Sequence, residues 1–314
     1  ISLLLNSDLS LRPVANSLNE KEALLLKDIA NTTDRLEYIN FQSEQIIPHG
    51  TLIDVLFMSE NNKYFSFCDS DIFLFNPFAS KKIKSLLSKA DVFSTGGRIE
   101  NLDDAVYAGF KGGATTISLD GKIDLATSFF CTYRRKPLEK IMKKYKVGFE
   151  QYRFESQIPS EALAVVKELK LDYEMFDTGK LLSVLYHYEG YKKVFNEIEG
   201  LVHVGGMSGR YLQKIDLKEV NTLTDDDLES ASRTNNNSFQ TRNSYEISLK
   251  KYYGKYFYMY LNHLIAGTSK PISTSNDSRI QATITRLESS INKVMIEAKN
   301  DPICKKILTL VSEC

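Results

Sequence analysis

The chain has 314 residues, and its 40 Lys+Arg balance its 40 Asp+Glu, so no bulk field draws it to nucleic acid or an anionic membrane and any such contact has to be a local patch. That length suits one large domain, or a domain with an appendage, with ample chain to bury a core. Cysteines at 68, 131, 304 and 314 show no C-x-x-C spacing, which argues against a zinc cluster or disulfide framework and for a reducing, cytosolic setting; no apolar run reaches the roughly 18 to 20 residues that span a bilayer, and the N-terminus lacks a signal-peptide layout.

Up to about residue 205, short apolar runs alternate with helical periods, the pattern of α/β layering. Ile1 to Leu5 (ISLLL) reads as an edge or first strand. Asn19 is placed to cap a helix from Glu20 to Ala30. Leu36 to Phe41 has strand composition, and Leu52, Val55, Leu56 and Met58 recur at helical spacing after His49-Gly50. Tyr64 to Cys68 (YFSFC) follows as a strand, apolar enough on both faces for a central position under helices. Ser80 is placed to cap the next helix, and Asp91 to Thr95 is a further strand closed by Gly96-Gly97. In the middle, Ala114 to Ser118 and Ile123 to Tyr133 read as strands, whereas Pro137 to Tyr145, Ser160 to Leu169 and Gly179 to Tyr188 read as helices. Gly200 to Val204 (GLVHV) is one more strand, ending in Gly205-Gly206.

Beyond that point the character changes. Residues 221–243 are polar and rich in Asn, Ser, Thr and Asp, a linker or loop that separates residues 1–220 from a helical appendage over 244–314. The appendage reads as helices over Tyr245 to Ala266, Ser278 to Lys299 and Pro302 to Val311. The first carries a dense tyrosine group. In the second, Ile284, Leu287, Ile291 and Val294 follow a heptad seam, expected to dock onto the first domain or a second copy of the chain.

The chemistry concentrates at YFSFC-Asp69-Ser70-Asp71-IFLF. Two carboxylates at i and i+2 just past an apolar strand lie at the carboxyl end of a sheet, where open α/β sheets bind ligands. Asp is rarely buried without a partner. The spacing lets both carboxylates approach one hard divalent cation, Mg2+ or Mn2+, which keeps open positions for substrate phosphates. A haloacid-dehalogenase-type phosphatase also places D-x-D after an apolar strand, but its motif continues D-x-D-x-[TV], and here Phe73 follows Ile72. A calcium loop would need further oxygen ligands and a glycine that Ile-Phe-Leu-Phe does not supply.

The stretch resembles the D-x-D of GT-A-fold glycosyltransferases, in which an apolar strand, the D-x-D and a second short apolar strand occur in this order. The upstream HG-x-L-I-D-x-L of His49 to Leu56 is similar to what some members carry. His203 in LVHVGGMSG resembles the downstream His-x-x-Gly of retaining members. The Lys-Pro-Trp continuation of that subgroup is absent, since the chain reads Ser208-Gly209-Arg210-Tyr211. The resemblance covers about residues 30 to 210 in order of elements. It implies a Rossmann-like mixed sheet flanked by helices, and a metal-dependent transfer of sugar from a nucleotide diphosphate sugar, UDP-linked in the first instance, to a glycan, lipid-linked or protein acceptor. It implies Asp69, Asp71 and His203 as metal ligands for Mn2+ or Mg2+. Asp69, Gly205, Gly206 and Arg210 would lie against the donor diphosphate, the glycines allowing close backbone approach and Arg210 supplying a cation.

Asp177 in YEMFDTGKLL precedes a helix, and is the candidate base for an acceptor hydroxyl if the enzyme inverts; plain helix capping is the alternative. His49 either orients a helix N-terminus or touches ligand, and Cys68 reads as a small buried hydrophobe. Arg134-Arg135-Lys136 with Lys140, Lys143, Lys144 and Lys146 is the strongest basic patch, either a solvated helix face or a contact for a phosphate-rich acceptor or anionic lipid, which would make a cytoplasmic protein peripheral to a membrane. A non-catalytic scaffold that assembles through its helical tail, or a toxin-like transferase with a host-protein acceptor, remains compatible with the same pattern.

Overall fold

The computed structural model describes residues 1–41, 43, 45–70, 72–76, 78–94, 115–118, 121–126, 130–171, 175–195, 200–203, 244–273 and 278–313. It is a mixed α/β structure. The chain opens with α1 (Ser2–Asn6), β1 (Val14–Asn16), α2 (Glu20–Ala30), β2 (Ile39–Phe41), α3 (His49–Ser59), β3 (Tyr64–Cys68), β4 (Ile72–Leu74), α4 (Ala79–Leu87) and β5 (Val92–Ser94). It continues through β6 (Thr115–Ser118), β7 (Gly121–Asp124), β8 (Phe130–Arg134), α5 (Arg135–Tyr145), α6 (Ser160–Glu168), α7 (Lys180–Tyr188), β9 (Lys193–Phe195) and β10 (Leu201–His203). Three helices close it: α8 (Ser244–Ala266), α9 (Ser278–Asn300) and α10 (Pro302–Ser312).

The principal sheet has the order β3-β8-β5-β9, with β8 antiparallel to both β3 and β5, and β9 parallel to β5. The carboxyl ends of β3, β5 and β9 therefore share one edge with the start of β8, and their amino ends share the opposite edge with its finish. Side chains alternate across the pleat. Phe65, Val92, Cys131 and Tyr133 join Ile53, Phe57, Leu138, Phe149 and Leu181 in the core beneath α3, α5, α6 and α7. Tyr64, Phe93 and Phe130 face the other way, onto α4 and the β4-β10 ribbon through Ile83, Leu87, Ile72, Leu74 and Leu201.

This alternation corrects the expectation of a central strand at YFSFC. Among the described residues β3 pairs with β8 alone. Only Phe65 and Phe67 face the main core, Ser66 bonds Thr132 across the ladder at 2.8 Å, and Cys68 is exposed rather than buried.

Other elements are shifted too. Ile1 to Leu5 is not a strand: Leu4 buries against Ala298, Cys304 and Ile307, and tertiary packing of that kind outweighs β propensity in a short segment. The Ile123 to Tyr133 run breaks into β7 and β8, α4 starts from Phe78 rather than from a Ser80 cap, and β1 and β9 have no counterpart among the sequence expectations. The Asn19 cap forms as expected, as a full capping box with Glu22, its Oδ1 accepting Glu22 N–H at 2.8 Å.

The heptad seam of α9 packs inside the chain: Ile284, Leu287 and Ile291 meet Tyr256, Phe257 and Tyr260 of α8. The helical unit in turn meets β4, where Phe257 approaches Phe73 edge-on at 4.4 Å between ring centroids. Leu74 of the same strand is held from the other side by α1, with its N–H on Ser2 Oγ at 3.2 Å and its carbonyl on Asn6 Nδ2 at 2.9 Å.

Candidate functional site

Asp69 follows β3 directly and so stands at the carboxyl edge of the sheet. Short connection from α3 into β3 makes the helix antiparallel to the strand, which returns the α3 N-terminus to the same edge. His49, the first residue of α3, puts Nε2 3.8 Å from Asp69 Oδ1, with both side chains partly exposed. At that separation the two side chains are in proximity rather than hydrogen-bonded, and in partial solvent such a contact contributes under about 1 kcal/mol. Asp71 lies outside the described residues.

The second approach to this edge depends on two glycines. A Cβ on Gly50 would sit 2.3 Å from the Phe149 carbonyl oxygen, and one on Gly148 would sit 2.1 Å from Asp54 Oδ2. Without side chains at both positions, the loop 147–150 lies against α3 and the Phe149 N–H donates to Asp54 Oδ1 and Oδ2 at 2.9 and 3.0 Å. Burial pushes the Asp54 carboxyl up to about 6, partly opposed by that backbone donor.

The same loop delivers Asp177. Phe149 O accepts Gly179 N–H at 3.1 Å, Tyr152 and Phe176 exchange backbone bonds at 2.8 and 3.0 Å, and Gln151 Nε2 donates to Asp177 Oδ1 at 2.5 Å. Thr178 N–H donates to that oxygen at 2.8 Å. The helix-capping alternative does not hold for this side chain: the N-cap of α7 is Gly179 at φ 71°, and the first N–H of the helix, that of Lys180, bonds the Asp177 backbone carbonyl at 2.9 Å rather than its carboxylate.

The first turn of α7 holds a group that sequence reasoning missed. Lys180 is buried, and its Nζ donates to Ala126 O at 2.7 Å, while Ser183 Oγ accepts Ala126 N–H at 2.9 Å. One residue in the β7–β8 connection is thus clamped at both of its backbone polar groups. Burial pulls the Lys180 amine down to about 8 against the attraction of Asp177. A signal was present: α7 is apolar around most of its circumference (KLLSVLY), the mark of a helix buried on all sides, so a lysine on it had to be buried as well. Cys131 nearby is pushed up to about 12 by burial and is inert as a nucleophile.

From the far end of the domain, β10 pairs antiparallel with β4 in the register Leu201↔Leu74, Val202↔Phe73, His203↔Ile72. Gly200, at φ 76°, sets this register; its carbonyl takes Phe75 N–H at 2.7 Å and a Cβ there would lie 2.8 Å from Asn76 Cβ. The His203 backbone accordingly stands opposite the residue that follows Asp71, although 131 positions separate Ile72 from His203 (203 − 72). Gly205, Gly206 and Arg210 lie outside the described residues. Among the described residues no group of three or more His, Cys, Asp or Glu could hold a metal ion. An open groove of about 550 Å3, lined by Glu288, Asn292, Lys293 and Ile296, runs along α9 and shares none of these edge residues.

The basic patch over 134–146 divides in two. Arg134 donates to the Leu87 and Ser88 carbonyls at the end of α4; Arg135 donates to Asn62 O and Phe57 O and lies over the Phe57 ring. Lys144 pairs with Glu189 and Lys146 with Glu161. Lys136, Lys140 and Lys143 remain exposed. Among the described residues no helix is long and apolar enough to cross a membrane. No protein-family model matches the chain, and no curated protein matches it.

Proposed function

We propose that the chain is a metal-dependent glycosyltransferase of the GT-A type, taking a sugar from a nucleotide diphosphate sugar. The observation that carries this reading is the β4-β10 register. It brings the His203 backbone beside the strand that begins just after the Asp-Ser-Asp, the juxtaposition that a shared site requires.

The donor set fits a hard or borderline divalent cation: carboxylate oxygens from Asp69 and Asp71 and an imidazole from His203 are the ligand types that Mn2+ and Mg2+ sites use. Such an ion, when bound, supplies charge neutralisation on the departing nucleoside diphosphate. The chain's own residues do the remaining work. The α3 N-terminus presents partial positive charge toward the edge where the diphosphate would lie. His49 holds Asp69 from the helix side. Gln151 and Thr178 both bond Asp177 Oδ1, orienting a carboxylate that accepts the proton of the acceptor hydroxyl in an inverting reaction.

The test is a panel of nucleotide sugars incubated with Mn2+ or Mg2+ and scored for nucleoside diphosphate release. Release from one donor, abolished in a folded Asp69→Ala/Asp71→Ala variant, is expected. Undiminished release in that variant sinks the assignment, and release of inorganic phosphate points to the phosphatase instead. For Asp177→Asn, turnover falls far more than donor binding if the carboxylate is the base.

A further inference from the structure

The opposite edge of the sheet gathers lysines from separate segments of chain. At this amino edge Lys63 O accepts Arg135 N–H at 3.0 Å, Asp91 O accepts Arg134 N–H at 2.8 Å, and Lys192 O accepts Asp91 N–H at 2.8 Å. Neighbouring strands lie about 4.8 Å apart, so Lys63 and Lys192 bracket a rim of roughly 15 Å. Lys89 stands two positions before Asp91 on the same rim, and Lys136, Lys140 and Lys143 extend it along the exposed face of α5.

Of the carboxylates nearby, Glu168 accepts the Tyr188 hydroxyl at 2.9 Å and Asp91 stays on the rim, and the others are paired with cations. Glu139 pairs with Arg135, Glu189 with Lys144 and Glu60 with Arg12, while Asp91 Oδ2 accepts Lys192 N–H. Helices α3, α4 and α7 all end here, and lysines near helix C-termini often serve the last carbonyls. That service falls to the arginines instead: Arg135 takes Phe57 O of α3, and Arg134 takes Leu87 O and Ser88 O of α4. Among the described residues Lys89, Lys136, Lys140, Lys143 and Lys192 form no ion pair, and Lys63 lies over the Tyr64 ring.

We propose that this edge docks onto the anionic headgroups of a phospholipid surface. Its outward charges are ammonium groups on flexible stems, suited to a diffuse array of charge, whereas the two arginines that could grip a single phosphate bidentately are both turned inward. That arrangement disfavours a phosphoprotein or a nucleic acid. Tyr188, exposed at the end of α7, adds a ring of the kind that sits at headgroup level. Docked in this way, the protein turns the carboxyl edge with His49, Asp69 and Asp177 away from the lipid. The proposal does not depend on the glycosyltransferase reading.

The experiment is co-sedimentation of the full chain with phosphatidylserine/phosphatidylcholine vesicles and with phosphatidylcholine vesicles alone, alongside a short single-stranded RNA as competitor. Sedimentation with the anionic vesicles only, weakened by added salt, is expected. Each lysine near the surface contributes about fivefold to partitioning, so Lys63→Glu/Lys192→Glu lowers it by at least about 25-fold. Lys81→Glu/Lys82→Glu, an equal charge change at the far end of α4, leaves it within about twofold. Circular dichroism on both variants separates lost binding from lost folding. Absence of sedimentation with anionic vesicles, equal loss in the two variants, or displacement by the RNA at lower concentration than the lipid would each overturn the proposal.

Discussion

The two edges of the principal sheet are built on opposite plans. At the carboxyl edge, polar side chains are pinned from behind: Asp54 holds Phe149, Gln151 holds Asp177, and Lys180 with Ser183 clamps Ala126. Glycines bring backbone close enough for those anchors to act. At the amino edge the arginines are anchored to helix carbonyls, while the lysines reach into solvent. The contrast is between a surface whose geometry is fixed, as chemistry on a bound substrate needs, and one whose charge is fixed but whose geometry is loose.

The largest expected effect tests the pinning directly. Gly50→Ala puts a Cβ 2.3 Å from a backbone oxygen that cannot swing aside, and a loss of roughly 3 kcal/mol or more in urea unfolding is expected. A loss under about 1 kcal/mol would mean that the loop 147–150 is not held as described.

Lys180 gives a pH signature. Its amine sits near 8 in the fold against an ordinary 10.5, so between about pH 8 and 10.5 the unfolded chain binds a proton that the native chain does not. Stability from this group rises with pH across that window, by about 3 kcal/mol in total. In the difference between wild type and Lys180→Met the rise disappears from the variant; parallel curves would show that Lys180 is solvated.

Asp54 has the reverse sign. With its carboxyl raised to about 6 from 3.8, the native chain holds a proton that the unfolded chain has lost, and stability falls as pH rises from about 4 to 6. Partial exposure screens the effect to about 1 kcal/mol. Asp54→Asn flattens that segment of the curve, and an unaltered slope would contradict the raised carboxyl. The smallest effect belongs to the amino edge, where Lys63→Glu/Lys192→Glu is expected to move the unfolding free energy by no more than about 0.5 kcal/mol per site, as exposed positions do.

What sequence reasoning could read follows from how local each signal is. The Asn19 cap, the amphipathic periods of α5 and α9, and the strand preceding Asp69 are written in neighbouring residues and form as expected. The helix at ISLLL was illegible because its fate depends on Ala298 and Ile307 at the other end of the chain. The edge position that β3 holds among the described residues was hidden by composition: Tyr-Phe-Ser-Phe-Cys looks apolar throughout, yet its even and odd positions meet different environments. The candidate site divides in the same way. The Asp-Ser-Asp was legible, and the His203 strand was legible as a strand. The approach of His49 to Asp69 and the clamp by Lys180 needed the fold. The basic run at 134–146 overstated the patch at its own position, since its arginines turn inward, and gave no hint that Lys63, Lys89 and Lys192 join it from elsewhere.

The most direct test of the central claim is a calorimetric titration of nucleoside diphosphate into the protein, with and without Mn2+, for the wild type and for Asp69→Ala/Asp71→Ala. Binding that requires the metal and is lost in the folded variant is the result predicted here. Failure of the wild type to bind under either condition, or metal-independent binding equal in both proteins, would contradict a donor site at the carboxyl edge.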